Sequence, residues 1–133
     1  MKLIIFLLLS TLPRIAIYGD IVDEITLLIR DGDAKELSKH FSGTVSLTII
    51  SNENLYSKVQ AEIVLRDFFH KNNPSGIKLI HRLDGNPNYR HVVLNLTTGE
   101  GTFRVSVSLK SIAEVYQITE IRIEPASRFV AKN

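Results

Sequence analysis

The chain has 133 residues, with 16 Lys or Arg against 14 Asp or Glu, and it contains no cysteine. The lack of cysteine excludes thiol catalysis, disulfide staples and cysteine-ligated zinc. The net charge is only +2 and the basic residues are not clustered, which argues against a nucleic-acid-binding surface.

The first nineteen residues have the pattern of a secretory signal peptide. Lys2 precedes an apolar run over residues 3–9, and the small residue Gly19 closes the segment. The run is too short for a membrane-spanning helix, which needs about 20 apolar residues. We therefore expect a bacterial protein exported to the periplasm or secreted, with a leader at 1–19 and a single domain at 20–133. Removing the leader leaves equal numbers of basic and acidic side chains and no integral membrane segment.

The first part of the domain has the spacing of helices around a strand. Apolar residues recur at helical spacing over 20–30, and a second, short helix is expected to start at Asp33. The alternating, β-branched segment 44–50 is typical of a strand. Ser57, followed by Gln three residues later, predicts a capping box that opens a third helix, which extends to about Lys71.

After the third helix the apolar period changes to two. Strands are expected over 77–84, 89–98, 102–110 and 114–124. Because the connections between them are short, successive strands should be antiparallel neighbours. The order α-α-β-α-β-β-β-β indicates an α+β fold, with helices packed on the concave face of a curved antiparallel sheet.

Several stretches of the chain resemble one family. They are Gly32–Phe41 (GDAKELSKHF), Tyr56–Glu62 (YSKVQAE), Asp67–Phe69 (DFF), Gly101–Val105 (GTFRV) and Ile121–Glu124 (IRIE). They resemble small exported Bacteroidetes domains of unknown function within the nuclear-transport-factor-2-like (cystatin-like) superfamily. The resemblance implies a cone-shaped domain over residues 20–124. It implies no particular activity, because that superfamily includes enzymes, binding proteins and dimerisation modules.

The strand alternation predicts an apolar hollow between the helices and the concave sheet face. Its polar groups are expected to be His81, Gln117 and Thr119, among apolar residues that include Leu94 and Phe103. No strand carboxylate should face the hollow, so a buried acid–base group is missing. These five residues are the predicted binding set for a small hydrophobic ligand.

The last strand allows a second register. In a regular alternation Tyr116 and Ile118 face outward, but a bulge near Thr119 and Glu120 would turn both inward. In that register Tyr116 takes the place of Gln117 in the hollow.

Three functions follow from these patterns. The favoured one is a non-enzymatic binding or interaction module. The second is an enzyme of isomerase, dehydratase or hydrolase type, with His81 and Tyr116 as the catalytic candidates. The third is a homodimerisation module that pairs through the outer sheet face, where Ile80 and Val93 interrupt a polar surface.

The four histidines do not have the spacing of a metal site. His40 and His70 fall near predicted helix C-termini, where a polar or cationic ring suits the helix dipole. The sequence contains no His-x-His and no His-Glu-x-x-His motif. We therefore expect no metal ion and no cofactor.

Overall fold

The computed structural model describes residues 20–129, and the predicted leader at 1–19 lies outside this range. The helices are α1 (Ile21–Arg30), α2 (Ala34–Ser38) and α3 (Lys58–Lys71), and a 3-10 helix occupies Ala126–Phe129. The strands are β1 (Phe41–Ile49), β2 (Asn52–Ser57), β3 (Pro74–Asn86), β4 (Tyr89–Thr98), β5 (Gly101–Ile112) and β6 (Val115–Pro125). No helix in the described range is long and apolar enough to cross a membrane.

Side-chain caps fix where the helices begin. Asp20 and Asp33 each accept a backbone N–H in the first turn of α1 and α2, respectively. Ser57 and Gln60 form both hydrogen bonds of a capping box at the start of α3. The predicted starts of all three helices are therefore confirmed.

The strands form one curved sheet in the order β2-β1-β6-β5-β4-β3. The predicted α+β architecture, with helices on one face of this sheet, is confirmed. Two details differ: an additional strand, β2, pairs with β1, and β1 lies parallel to β6, so the sheet is mixed rather than antiparallel. The alternation identified the other five strands but could not identify the neighbour that β1 takes from the far end of the chain.

The core lies between the helices and one face of the sheet, which we call the helix face; the opposite face is the outer face. In α1, Val22, Ile25 and Ile29 are fully or almost fully buried. The helix face contributes the inward residues of the central strands, among them Leu47, Val92, Leu94, Leu96, Val105, Val107, Leu109, Ile121 and Ile123. Burial of this apolar set is the main stabilising term of the fold.

A β-bulge in β6 sets the faces of that strand. Ser108 pairs with Glu120 while the next residue of β5, Leu109, pairs with Ile118, so Thr119 is the additional residue. Ile118 is therefore fully buried on the helix face, and Tyr116 packs against the core. The second register that the sequence allowed is the one the chain adopts.

A second irregularity, in β3, reverses the predicted orientation of His81. Leu79 pairs with Leu94, but His81 pairs with Val93, so Ile80 is additional and the alternation shifts by one. His81 consequently lies on the outer face and is exposed, not in the hollow. Arg82 takes the helix-face position instead. It forms ion pairs with Asp20 and Asp23 at the start of α1 and with Asp84.

Thr48 is a buried polar residue on the outer face of β1. It is 2% exposed, and its hydroxyl has no hydrogen-bond partner among the described residues. A buried hydroxyl without a partner costs free energy, because it loses its bonds to water and gains none in return.

Replacing this hydroxyl with a methyl group should therefore stabilise the fold. We expect Thr48→Val to raise the free energy of unfolding by about 1 kcal/mol in urea titrations. Thr44→Val, an exposed position on the same strand, is the matched control and should change it by less than about 0.5 kcal/mol. Destabilisation by Thr48→Val alone would contradict the assignment of an unpaired hydroxyl.

Candidate functional site

The centre of the predicted hollow is filled by side chains. Leu94 is completely buried, and Phe103 is nearly so. The Phe103 ring lies edge-on against Phe68 of α3, with 5.2 Å between ring centroids. Leu94 and Phe103 are therefore core residues that close the central part of the hollow.

An opening remains at one side of the core, between α3 and the β1–β2 hairpin, and we call it the side pocket. Its volume is about 290 Å³. Its apolar walls come from Leu47, Ile49, Ile50, Tyr56, Val64 and Phe68, and its polar residues are Asn52, Asn54, Asp67, Lys71 and Asn72. The side pocket lies at the edge of the sheet, where residues of β1 and of the edge strand β2 face the second half of α3.

The hairpin turn places an apolar side chain at the mouth of this pocket. Ile50 and Ser51 both have positive φ angles, 48° and 72°, the conformation required of a tight two-residue hairpin turn. A β-branched residue is strained there. Ile50 is nevertheless held in place, since its N–H donates to the Ile123 carbonyl at 2.9 Å. The Ile50 side chain is 45% exposed and forms part of the pocket wall.

The charges beside the pocket neutralise each other. Asp67 and Lys71 lie one helical turn apart on α3 and form an ion pair of 3.1 Å. Both side chains are more than half exposed, so their interaction is screened by water. The side pocket therefore combines an apolar interior with amide groups and no net charge.

The five predicted binding residues do not meet at one place, and none of them lines the side pocket. His81 lies on the outer face. Gln117 pairs with the exposed Lys110 and also faces outward. Thr119, the bulge residue, donates a hydrogen bond to the Ser108 carbonyl at 3.4 Å and lines a groove on the outer face.

The two catalytic candidates, His81 and Tyr116, lie on opposite faces of the sheet. The Tyr116 hydroxyl donates to the Pro87 carbonyl at 2.5 Å. The Arg90 guanidinium stands 5.0 Å from the centre of the Tyr116 ring. Tyr116 therefore connects β6 to the β3–β4 turn, and the structure does not bring it to His81.

Sequence reasoning missed a cluster on the outer face formed by Tyr89, His91 and Ser108. The His91 Nδ1 lies 2.9 Å from the Ser108 Oγ, and the Tyr89 hydroxyl donates to the same Oγ at 3.3 Å. Strand alternation placed His91 and Ser108 on this face. Their direct contact depends on the register of β4 against β5, which pairs these two residues.

The environment of His91 favours the neutral ring. Burial lowers the pKa of His91 below the usual 6.5, while the nearby Glu120 carboxylate acts to raise it and His81 to lower it. A neutral ring leaves Nδ1 able to accept the Ser108 proton. Elsewhere, His40 lies 3.3 Å from the Glu24 carboxylate. Within residues 20–129, no group of three or more His, Asp or Glu side chains is arranged to hold a metal ion.

Comparison with known proteins gives one family and a set of solved structures. The family model "Domain of unknown function (DUF4783)" matches residues 22–124. A DUF4783 family protein from Bacteroides ovatus is 28% identical, with a TM-score of 0.73, over 81% of this chain and 94% of that one. A second, from Bacteroides uniformis, is 24% identical, with a TM-score of 0.77, over 80% and 97%.

The fold extends beyond this family. An NTF-2 like protein of unknown function from Silicibacter pomeroyi is 10% identical, with a TM-score of 0.55, over 77% of this chain and 87% of that one. At this identity the likeness concerns the fold alone, and it confirms the predicted nuclear-transport-factor-2-like architecture. A comparison with curated proteins gives no match.

The opposing effects on His91 can be separated by titration. Glu120→Gln removes the charge that stabilises the imidazolium, so the pKa of His91 should fall further; His81→Gln should raise it. NMR titration of the imidazole carbons measures the pKa of His91 in both variants. Glu114→Gln in the β5–β6 turn is the control that should leave this pKa unchanged. A higher His91 pKa in Glu120→Gln would contradict the geometry.

The same shift predicts how stability depends on pH. The folded pKa is lower than the unfolded one, so the unfolded state binds a proton first as the pH falls. The contribution of His91 to the free energy of unfolding is therefore complete above pH 6.5 and is lost as the pH decreases below that value. In urea titrations at a series of pH values, the free energy of unfolding should decrease less on acidification for His91→Gln than for the parent protein.

Proposed function

The chain belongs to the DUF4783 family, whose description assigns no function, and we propose that it is an exported binding module that holds a small apolar ligand in the side pocket. The leader pattern at residues 1–19 supports export, because a charged start, an apolar core and a small residue direct secretion. The binding role rests on the side pocket itself.

The observation that carries this proposal is an apolar opening beside the buried core. Leu47 is almost completely buried, and Ile49, Val64 and Tyr56 pack against the core while also lining the pocket. Small-molecule sites are typically concave, mostly apolar and about 300–1,000 Å³ in volume. At about 290 Å³, the side pocket lies just below the lower limit of this range, which favours a compact ligand.

The polar rim limits the chemistry of that ligand. Asn52, Asn54 and Asn72 can each donate and accept hydrogen bonds, while Asp67 and Lys71 satisfy each other. A charged ligand would find no unpaired side chain of opposite charge among these residues. The arrangement favours an uncharged molecule with an apolar body and one hydrogen-bonding end.

The residues around the side pocket favour binding over acid–base catalysis. A catalytic carboxylate normally has its pKa shifted by burial in an apolar site. Asp67, the one carboxylate among the residues named for this pocket, is well exposed and paired with Lys71. The enzyme hypothesis relied on His81 in the hollow, with Tyr116 as a second candidate, whereas His81 lies exposed on the outer face.

Homodimerisation through the outer face stays a prediction. The face carries neighbouring opposite charges, with Glu124 facing Arg104 across the strands and Arg122 beside Glu124. Light scattering coupled to size-exclusion chromatography measures this directly and is independent of ligand binding.

A fluorescent probe tests the side pocket. N-phenyl-1-naphthylamine is uncharged and apolar and brightens when it leaves water. We expect it to bind the parent protein, and Val64→Phe, which fills the pocket from α3, should weaken binding by about tenfold or more. The matched control is Ile63→Phe, the neighbouring residue on α3, which is 50% exposed and does not line the pocket.

Thermal unfolding of each variant shows whether it remains folded. Binding that is absent from the parent protein, or equal in folded Val64→Phe and Ile63→Phe, would overturn the assignment of the side pocket.

A further inference from the structure

The outer face contains a groove that is separate from the side pocket. This outer groove has a volume of about 330 Å³ and is lined by Ser46, Tyr89, Ser108, Lys110, Thr119 and Glu120. The pairing of the strands places these residues together: Glu120 faces Ser46 on one side and Ser108 on the other, while Lys110 faces Tyr89. The groove therefore crosses four neighbouring strands of the sheet.

The hydroxyl groups of Tyr89 and Thr119 donate their protons in hydrogen bonds within the protein. The Tyr89 hydroxyl donates to Ser108 Oγ at 3.3 Å, and the Thr119 hydroxyl donates to the Ser108 carbonyl at 3.4 Å. Ser108 Oγ in turn lies 2.9 Å from His91 Nδ1, which accepts its proton when the ring is neutral. Each hydroxyl has one proton to give and two lone pairs. The oxygen atoms of Tyr89 and Thr119 are thus left as hydrogen-bond acceptors.

Two opposite charges also line the outer groove without forming an ion pair. Neither Lys110 nor Glu120 has an ion-pair partner within 4.0 Å among residues 20–129. Glu120 pairs with Ser108, and Lys110 lies two residues farther along the same strand. Diagonal neighbours of this kind are about 7–8 Å apart at the backbone. A small molecule between the two side chains can therefore reach both charges.

We propose that the outer groove binds a free α-amino acid in its zwitterionic form. The ammonium group donates its hydrogen bonds to the Glu120 carboxylate and to the oxygen atoms of Tyr89 and Thr119, and the carboxylate pairs with Lys110. A primary ammonium carries three N–H donors, which suits a groove with several acceptors.

Ligands with one charge fit this arrangement less well. An anion would pair with Lys110 but would meet the Glu120 carboxylate and the lone pairs of the hydroxyl groups. An amine would pair with Glu120 but would meet the ammonium of Lys110. A ligand that carries an ammonium and a carboxylate group on the same carbon atom satisfies both residues and repels neither.

The test uses L-alanine together with its two halves, ethylamine and propionate. Titration of each into the protein spanning residues 20–133, followed by amide NMR spectra, should shift signals from Lys110, Thr119 and Glu120 with L-alanine at millimolar concentration. Ethylamine and propionate should each bind about tenfold more weakly or not at all. The other proteinogenic L-amino acids, tested one at a time, define the side chain preferred.

Removing either charge should weaken binding. We expect Glu120→Gln and Lys110→Met each to weaken L-alanine binding by about tenfold or more. Glu114→Gln in the β5–β6 turn and Lys78→Met on β3 remove exposed charges of the same sign outside the outer groove and should leave binding unchanged. N-phenyl-1-naphthylamine binding, measured in the same variants, reports on the side pocket and should not change.

Three results would overturn this inference. They are the absence of groove shifts with every amino acid, equal binding of L-alanine to the parent protein and to folded Glu120→Gln, and propionate binding as tight as that of L-alanine.

Discussion

The alternation of side chains along the strands, interrupted at Ile80 in β3 and at Thr119 in β6, determines the chemistry of each face of the sheet. A single additional residue moves every following side chain to the opposite face. In β6 the bulge allows Ile118 and Ile121, three residues apart, to share the helix face. In β3 it sends His81 outward and brings Arg82 toward the acidic start of α1.

The parallel pairing of β1 with β6 has a comparable effect on the side pocket. β1 lies next to the last strand and carries β2 at the edge of the sheet. Because β2 lies beyond the central strands, α3 meets the β1–β2 hairpin at its margin instead of over a continuous apolar layer. Asn52 and Asn54 of β2 then line an opening whose floor is Leu47. The pocket thus results from the topology as much as from its residues.

The sequence was informative where a pattern has one physical interpretation. The caps at Asp33 and Ser57 predicted helix starts because few residue types can satisfy free N–H groups. The register with a bulge near Thr119 was among those predicted. Ile118 and Ile121 are three residues apart, and an uninterrupted strand would place them on opposite faces of the sheet.

The sequence was ambiguous in β3, where Leu79, Ile80 and Leu83 place apolar residues on both faces of an edge strand. No buried anchor there distinguishes the two registers, and His81 was assigned to the wrong face. β2 was missed because its sequence, NENLYS, is polar and almost entirely exposed, without the alternation of a half-buried strand. The contact of His91 with Ser108 depends on long-range register, which local patterns do not contain.

The size of side chains at the centre of the outer face explains why a groove forms there. Ser46 and Ser108 are small and lie on either side of Glu120, whereas Glu120, Tyr89 and Lys110 are long, so the sheet surface is lower at each serine than at its neighbours. Ser108 is 7% exposed, and His91, Tyr89 and Thr119 hydrogen-bond to its side chain or backbone. A partly buried polar network of this kind is stabilising when each member has a partner. The structure therefore separates an apolar opening on the helix face from a hydrogen-bonded polar groove on the outer face, and the two share none of their lining residues.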